Sequence, residues 1–533
     1  MVIKNYTLRG IVDNSISNKD VLLVYPPGQE CKIPALGFLY LAAVLEGKKF
    51  SVGILDASIE NLSLSHTLET IKKMQPRIIG ISTWTSTYSF VRKFVFILKH
   101  FFNNVTIVLG GPHVTACPEE TLNETPADFA VIGEGEYTFL ELCGHILGNN
   151  SISLHNIKGI AYKEGGKIIK TGNREFIKNL DDLPLPARHL IPFKKYRNYG
   201  HLAKQLPSAE MITSRGCPFP CIFCGDVVFG RRYRVHSAEK VLEECEHLMK
   251  YYGIRDINFQ DSNFVVDQER LVKFCEGIIR KKWKLSWVCQ ADINSANRNL
   301  DILSLMKKAG CWMIGYGVES GSPEILQVIR KKVNLEKAKN VFISTRKAGI
   351  MTIAYLQIGN LEDNQESIER TVAYAKSLHT DIASFAITTP FPGTELWDRA
   401  IKLKYVEEIS YNDLKVPTLM EKNVTIPLRT KYLSGKELLS FQRNAIRNYY
   451  FRPSQMLRLL FRTRTITQFR YLFSFALTVI GRKSKSLKES EKVRKEILSM
   501  YENIVSKKYS VPSGNDIRDH ENTLHHNNNF LNI

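Results

Sequence analysis

The sequence has no uninterrupted apolar run long enough to cross a bilayer, which argues against a transmembrane helix. Its first residues, MVIKNYTLRGIVDN, have no apolar core, so no secretory leader is expected. Ten cysteines occur without an export signal. A disulfide scaffold is therefore disfavoured, and a thiol cluster would point to metal binding or redox chemistry. Internal repeats are absent. Acidic residues are scarce near the C-terminus, where Arg429–Lys508 holds 19 Lys and Arg against 5 Asp and Glu, most of the overall charge of +20. Such an excess points to an anionic partner, a membrane surface or nucleic acid, and says little about fold.

What is present is globular. Of 533 residues, 44% are hydrophobic, 10% aromatic and 24% charged, and that length suggests three or four units. In the first 150 residues, Val21–Tyr25, Val52–Leu55, Arg77–Ser82, Val105–Leu109 and Phe129–Ile132 read as strands. Leu36–Glu46, Leu64–Met74, Tyr88–Phe102 and Pro118–Asn123 read as the helices between them. Apolar strands alternating with helices predict an α/β fold, a doubly wound parallel sheet covered on both faces. Ligands bind such sheets at the carboxyl ends of the strands. The loops expected there are small and polar: Thr83-Trp84-Thr85-Ser86, Gly110-Gly111-Pro112-His113 and Gly133-Glu134-Gly135-Glu136. Paired glycines let a backbone approach a bulky ligand, although each loop alone also reads as an ordinary tight turn. A hairpin around Glu164-Gly165-Gly166 and the Pro- and Asp-rich stretch Asn179–Arg188 predict a connector over 151–200.

The sharpest signal is Met211–Gly225, MITSRGCPFPCIFCG, in which Cys217, Cys221 and Cys224 are spaced C-x3-C-x2-C. Gly216, Pro218 and Pro220 break regular structure, so three thiols can curl around one centre. Thiolates suit zinc or an iron–sulfur cluster. No fourth ligand lies at suitable spacing, since His236 is remote and Cys245 falls in an expected helix. Three ligands on a four-iron cluster leave one iron open; a zinc site with a distant fourth ligand is the other reading. Downstream, Arg255–Gln260, Leu285–Cys289, Met313–Val318, Met351–Gln357 and Ile382–Ile387 are strand-like, separated by amphipathic helices such as Ala238–Tyr251, Glu269–Lys281, Leu300–Lys308 and Glu366–Lys376. With Met211–Thr213 they make about six βα units, a partial TIM-like barrel over 201–405 with its chemistry at the strands' carboxyl ends.

These motifs resemble a known family. The cysteine spacing, with Phe223 before the last thiol, resembles the radical S-adenosylmethionine (SAM) superfamily. VLLVYPP, LGFLYLAAVLE, GISTWTSTY, VLGGPHVTACPEE, VIGEGE and LDDLPLPAR, in that order ahead of it, resemble the cobalamin-binding class of that superfamily, over about Val21 to Trp397. The resemblance implies a Rossmann-like cobalamin domain at 1–150. It implies a four-iron four-sulfur cluster on Cys217, Cys221 and Cys224, and SAM cleavage to a 5′-deoxyadenosyl radical. It places Glu319 of GVESGS at the SAM ribose and Phe223, Asp261, Asn263, Gln290 and Ser320 around SAM. It places Ser82, Thr83, Gly110, Gly111, Gly133, Glu134 and Gly135 at cobalamin. It also implies a reductant such as a flavodoxin or ferredoxin. No residue is assigned a catalytic role.

Three departures stand out. No D-x-H-x2-G string, which supplies an axial histidine in other cobalamin enzymes, precedes residue 150. His113 is not expected to replace it, since a loop histidine is more often hydrogen-bonded or exposed. IGNLEDN (358–364) stands where relatives carry G-x-P-G-E, leaving Glu362 or Asp363 to supply polarity, and ALGFLY replaces P-P-L-G-L. Pro390–Trp397 is expected to close the barrel.

Beyond Val406 a basic helical cap is expected to residue 510, with Glu437–Tyr450, Met456–Phe461 and Ile466–Ile480 as helices and a disordered tail over 511–533. The cap either packs on the barrel or lies in a membrane interface through 430–510. Nucleic acid is not expected, for want of a binding motif. The expected activity is methylation of an unactivated carbon, or C–C bond or ring formation, on a large hydrophobic, lipid- or tetrapyrrole-like substrate. The alternatives are a radical SAM enzyme that has lost cobalamin, or a non-catalytic cobalamin sensor or carrier. The expected location is the cytoplasm, with peripheral contact at the inner membrane face.

Overall fold

A computed structural model of the chain describes residues 18–29, 33–196, 203–225, 227–406, 426, 428–462 and 485–509. The expected helix Ile466–Ile480 and the tail 511–533 lie outside them. Five strands of the first sheet are parallel: β1 (Val21–Tyr25), β2 (Val52–Asp56), β3 (Ile78–Ser82), β4 (Thr106–Gly110) and β5 (Phe129–Val131), in the order β2-β1-β3-β4-β5. The order reverses between β1 and β3, the switch point at which doubly wound sheets open a crevice. The sheet does not stop at 150. The hairpin β6 (Ile160–Glu164) and β7 (Lys167–Lys170) extends it antiparallel from β5, so the hairpin assigned to the connector belongs to this sheet.

The strand residues are apolar because both faces are covered. Leu22, Val24, Ile79, Ile81, Ile107 and Leu109 pack against the helices Leu64–Met74 and Tyr88–Phe101. Val21, Leu23, Ile78 and Val108 point the other way, onto Leu36–Gly47 and a helix not foreseen from the sequence, Gly135–Ile146. That helix begins inside GEGE, so Gly135 and Glu136 form its first turn and not a loop.

The second sheet is six-stranded, all parallel and in sequence order: β8 (Ser208–Met211), β11 (Asp256–Phe259), β12 (Ser286–Asp292), β13 (Cys311–Glu319), β14 (Met351–Ile358) and β15 (Ile382–Ile387). Between β8 and β11 a two-stranded ribbon, β9 (Ser214–Arg215) with β10 (Arg234–Val235), brackets the cysteine loop. Each crossover helix lays an apolar face on the barrel. Ala238–Tyr252, capped by Ser237 and ended by left-handed Gly253, buries Val241, Leu242, Cys245 and Leu248. Cys245 is therefore core and not a ligand.

The open barrel edge, β15, is covered by the helix Gly435–Tyr450 and not by Pro390–Trp397. Unpaired backbone groups of an edge strand need partners. Gln442 Nε2 donates to Phe385 O at 2.8 Å, and the Tyr450 hydroxyl bridges the N–H and C=O of Ala383 at 3.1 and 2.9 Å. The last helix, Lys485–Tyr509, leaves the barrel altogether. Val493, Ile497, Met500 and Ile504 pack on the first sheet's helices, and Arg494 Nε donates to Gly28 O at 2.9 Å. The expected C-terminal cap is thus divided between the two sheets.

Glu210 on β8 lies buried with both carboxylate oxygens lacking a hydrogen-bond partner. Burial pushes its carboxyl up to about 7, partly offset by the Arg188 charge. Because the folded state raises this value, the favourable contribution is present at acidic pH and is lost as pH rises through about 7. Replacing Glu210 by Gln should leave stability near that of the parent at pH 5 and raise it by about 3 kcal/mol at pH 8. Urea unfolding at the two pH values checks this; an equal effect at both would contradict it.

Candidate active site

The loops at the carboxyl ends of β3, β4 and β5 interlock. Thr83 N donates to Gly110 O at 2.8 Å, His113 N to Thr83 O at 3.1 Å, and Gly133 N to Thr115 Oγ1 at 3.1 Å. Gly111, at φ +95°, is glycine of necessity. A Cβ there would lie 2.7 Å from Ser82 Oγ and 2.8 Å from Thr83 N. Gly133, at φ +77°, faces open space, and the buried Thr83 Oγ1 has no hydrogen-bond partner. A small-residue edge with an unsatisfied hydroxyl fits a bulky polar ligand. His113 is buried, its ring tilted against Tyr88 with centroids 4.0 Å apart and its Nδ1 3.2 Å from Thr85 Oγ1, and burial lowers its pKa to about 4. It is a neutral packing residue at neutral pH.

Glu134, expected at that ligand edge, is engaged elsewhere. Arg215 donates to Glu134 Oε1 at 2.9 Å and Glu136 Oε1 at 2.6 Å, while Arg234 Nη1 reaches both Glu134 oxygens at 2.9 Å. All four side chains are buried. Ile177 N adds a bond to Glu134 Oε2, and Phe229 and Phe176 cover the two guanidinium groups. Glu134 and Glu136 follow β5; Arg215 and Arg234 are the ribbon around the thiol loop. The knot therefore clamps the carboxyl edge of the first sheet to the mouth of the barrel. Gly393, after β15, repeats the contact: a Cβ there would be 3.0 Å from Ala116 Cβ, after β4. The sequence reading missed both arginines. Their signal was two Arg flanking a cysteine motif, with GEGE as the available acid.

The thiol loop hangs from this ribbon. Cys217 N donates to Gly230 O at 3.4 Å, Cys224 N to Cys221 O at 3.3 Å, and Leu396 N to Ile222 O at 2.9 Å. Pro390–Trp397 thus closes onto the cysteine loop. Cys221 is buried, Cys217 half-buried and Cys224 exposed. Among the described residues no three His, Cys, Asp or Glu side chains are gathered at metal-holding range. The donor chemistry, three soft thiols on one short loop, is what fits a cluster. His236 is bound to Asp181 at 3.1 Å and is not a fourth ligand.

Of the residues expected around SAM, the structure separates two groups. Asp261 is buried and spends its oxygens on Thr213 N at 2.6 Å, Ser214 N at 2.9 Å and the Thr213 hydroxyl, so it shapes the chain entering the thiol loop. Asn263 bonds Ser295 Oγ and Asp292 N, both at 3.2 Å, and Ser320 Oγ bonds Thr371 Oγ1 at 3.1 Å. These three hold backbone in place. Phe223 packs on the cluster of Ile222, Ile325 and Leu396.

The second group faces the barrel interior. Glu319 sits at a register shift of β13 with φ +68°, a strained position for a non-glycine. Its carboxylate accepts from Gln357 Nε2 at 3.1 Å and lies 3.6 Å from Lys331 Nζ, which is 3.2 Å from Asp292. Burial raises the Glu319 carboxyl, and the Lys331 charge opposes this. Burial also pushes the Cys221 thiol up to about 11, again opposed by Lys331. Two strand glycines make room for these groups. A Cβ on Gly317 would be 2.5 Å from Glu319 Oε1, and one on Gly315 2.2 Å from Gln290 Oε1. Lys331, Gln357 and Tyr355 were not foreseen, because nothing in IRKKV or YLQIG marks which residues turn inward.

A thiol loop at the mouth of a partial βα barrel, clamped to the ligand edge of a Rossmann-like sheet, defines a two-cofactor α/β enzyme class. Residues 30–143 match the B12 binding domain model and residues 211–375 the Radical SAM superfamily model. An uncharacterized methyltransferase of Pyrococcus horikoshii is 34% identical over 452 residues, 83% of this chain and 94% of that protein. The anaerobic magnesium-protoporphyrin IX monomethyl ester cyclase of Cereibacter sphaeroides is 27% identical over 426 residues, 79% of this chain and 68% of that one. The fold is that of the radical SAM methyltransferase TsrM of Kitasatospora setae, with a TM-score of 0.65 at 17% identity over 91% of this chain and 99% of that chain. The chain belongs to the cobalamin-binding radical SAM enzyme family.

Removing one partner of the ion knot leaves buried charges uncompensated. Arg215→Met should cost about 3–5 kcal/mol in urea unfolding. Arg215→Lys should recover part of this, since one ammonium cannot bridge two carboxylates as a guanidinium does. A cost under 1 kcal/mol for the Met variant would remove the clamp from the argument.

Proposed function

We propose that this enzyme transfers a methyl group to, or closes a C–C bond on, an unactivated carbon of a large hydrophobic substrate. One observation carries the reading: the carboxyl edge of the first sheet abuts the barrel mouth at Glu134–Arg215 and again at Ala116–Gly393. A group held on either edge would face the other, as a relay between two cofactors requires. The similarity to a methyltransferase and to a ring-forming cyclase supports these two outcomes.

In this reading Cys217, Cys221 and Cys224 hold the iron–sulfur cluster, with Lys331 favouring the thiolate of Cys221. Glu319 and Gln290 would line the SAM pocket, with the Glu319 carboxylate available to accept from a ribose hydroxyl. Asp292 and Glu319 against Lys331 leave one net negative charge beside the thiols, which suits a sulfonium cation. Ser82, Thr83, Gly110 and Gly133 border cobalamin. When bound, these groups would supply reductive SAM cleavage and methyl relay. An external one-electron donor of the flavodoxin or ferredoxin kind completes the system.

Anaerobic reconstitution with iron, sulfide and cobalamin tests the assignment. Methyl transfer predicts both 5′-deoxyadenosine and S-adenosylhomocysteine from SAM, and ring closure the first alone. Neither product would leave the sensor reading, and turnover unchanged without cobalamin would leave the cobalamin-free one. Gly317→Ala and Glu319→Gln should each weaken SAM binding about tenfold with the cluster absorbance unchanged. Wild-type affinity in both variants would displace Glu319 from the pocket.

A further inference from the structure

The helix Pro453–Arg462 is amphipathic with its faces reversed. Its inward side is polar. Gln455 is buried, donating to Asp381 O at 2.7 Å and Thr380 O at 3.3 Å, and Arg458 donates to His379 O. Its outward side is apolar, with Met456 51%, Leu457 54% and Phe461 81% exposed and Phe451 61% exposed just ahead. Helices normally bury the apolar stripe, and an exposed one marks an interaction site. The surrounding sequence is as unusual. Residues 438–462 contain five Arg and not one Asp or Glu.

We propose that the outward face of Pro453–Arg462 docks on an anionic lipid bilayer, with Met456, Leu457 and Phe461 entering the interface and Arg447 and Arg452, just ahead in the chain, meeting headgroups. Charge selects this occupant. A second copy would oppose arginines to arginines with no acidic residue between them, and nucleic acid offers no medium for an apolar stripe, whereas an anionic interface accepts both features. The helix is fastened to His379–Asp381, just before β15 begins, at the amino-terminal base of the barrel. The bilayer would therefore hold the base, and the thiol loop at the opposite end would open toward water. The surface anchors the enzyme and does not feed a lipid directly into the barrel mouth.

Flotation of the full chain with vesicles of equimolar phosphatidylglycerol and phosphatidylcholine tests this. Binding should fall about tenfold with phosphatidylcholine alone, in about 0.5 M salt, and in the triple variant Met456→Ser, Leu457→Ser, Phe461→Ser. Those side chains are exposed, so the variant should unfold at the parent temperature. In a separate Phe461→Trp variant, vesicles with brominated acyl chains should quench the added indole. The proposal is overturned if the parent fails to float, if the triple variant floats equally, or if the indole is not quenched. Loss of a concentration-dependent dimer in the triple variant, or binding of RNA in place of vesicles, would overturn it in favour of those partners.

Discussion

Two guanidinium groups buried against two carboxylates set the geometry on which the site depends. Arg215 and Arg234 belong to the ribbon that carries the cysteine loop; Glu134 and Glu136 belong to the helix start after β5. A buried ion pair is a poor source of net stability, because desolvation offsets much of the Coulomb gain. Its value here is directional. A guanidinium fork satisfies two carboxylates in one arrangement, and any other docking of the sheets would leave charges unpaired in a dry interface. A second buried pair repeats this in the connector, where Arg188 meets Glu244 at 2.6 Å, and Ala187 N binds Leu39 O at 3.0 Å.

Inside the barrel, space is made by omission. Gly315 and Gly317 carry no side chain where Gln290, Tyr355, Glu319 and Lys331 converge. Polar groups can therefore occupy the mouth of a barrel whose outer layer is apolar, built on Phe259 stacked against Phe264, with Phe274 edge-on to Phe259 and Trp287. The left-handed backbone of Glu319 is sustained because Gln357 and Lys331 hold its carboxylate from both sides. The turn that departs from the family pattern is rebuilt in a similar way. Asp363 accepts from the N–H groups of Gly359 and Asn360 at 3.0 and 2.8 Å, while Glu362 stays near solvent beside Lys431.

The C-terminal region illustrates how one basic stretch can serve three surfaces. Gly435–Tyr450 satisfies the exposed edge of β15, Pro453–Arg462 turns its polar side inward beneath that strand, and Lys485–Tyr509 returns to the first sheet near Gly28. Composition alone could register the charge excess but could not divide it among these roles, since the division rests on which backbone carbonyls lie unpaired.

Periodicity and punctuation determined the strands and most helices, because continuous apolar runs and 3.6-residue stripes are local properties of the chain. Leu64–Met74 and Ile382–Ile387 were legible to the residue. The cysteine spacing was equally local. What the sequence could not specify was which polar residues at strand ends face a ligand and which hold backbone. Asp261, Asn263, Ser320 and Glu134 all stood in the expected loops, yet hydrogen bonds to distant chain segments engage every one of them. Lys331 and Arg215 are buried beside carboxylates only by tertiary packing. A charged side chain is drawn inward only by partners that folding brings from elsewhere, so those assignments belong to the tertiary structure alone.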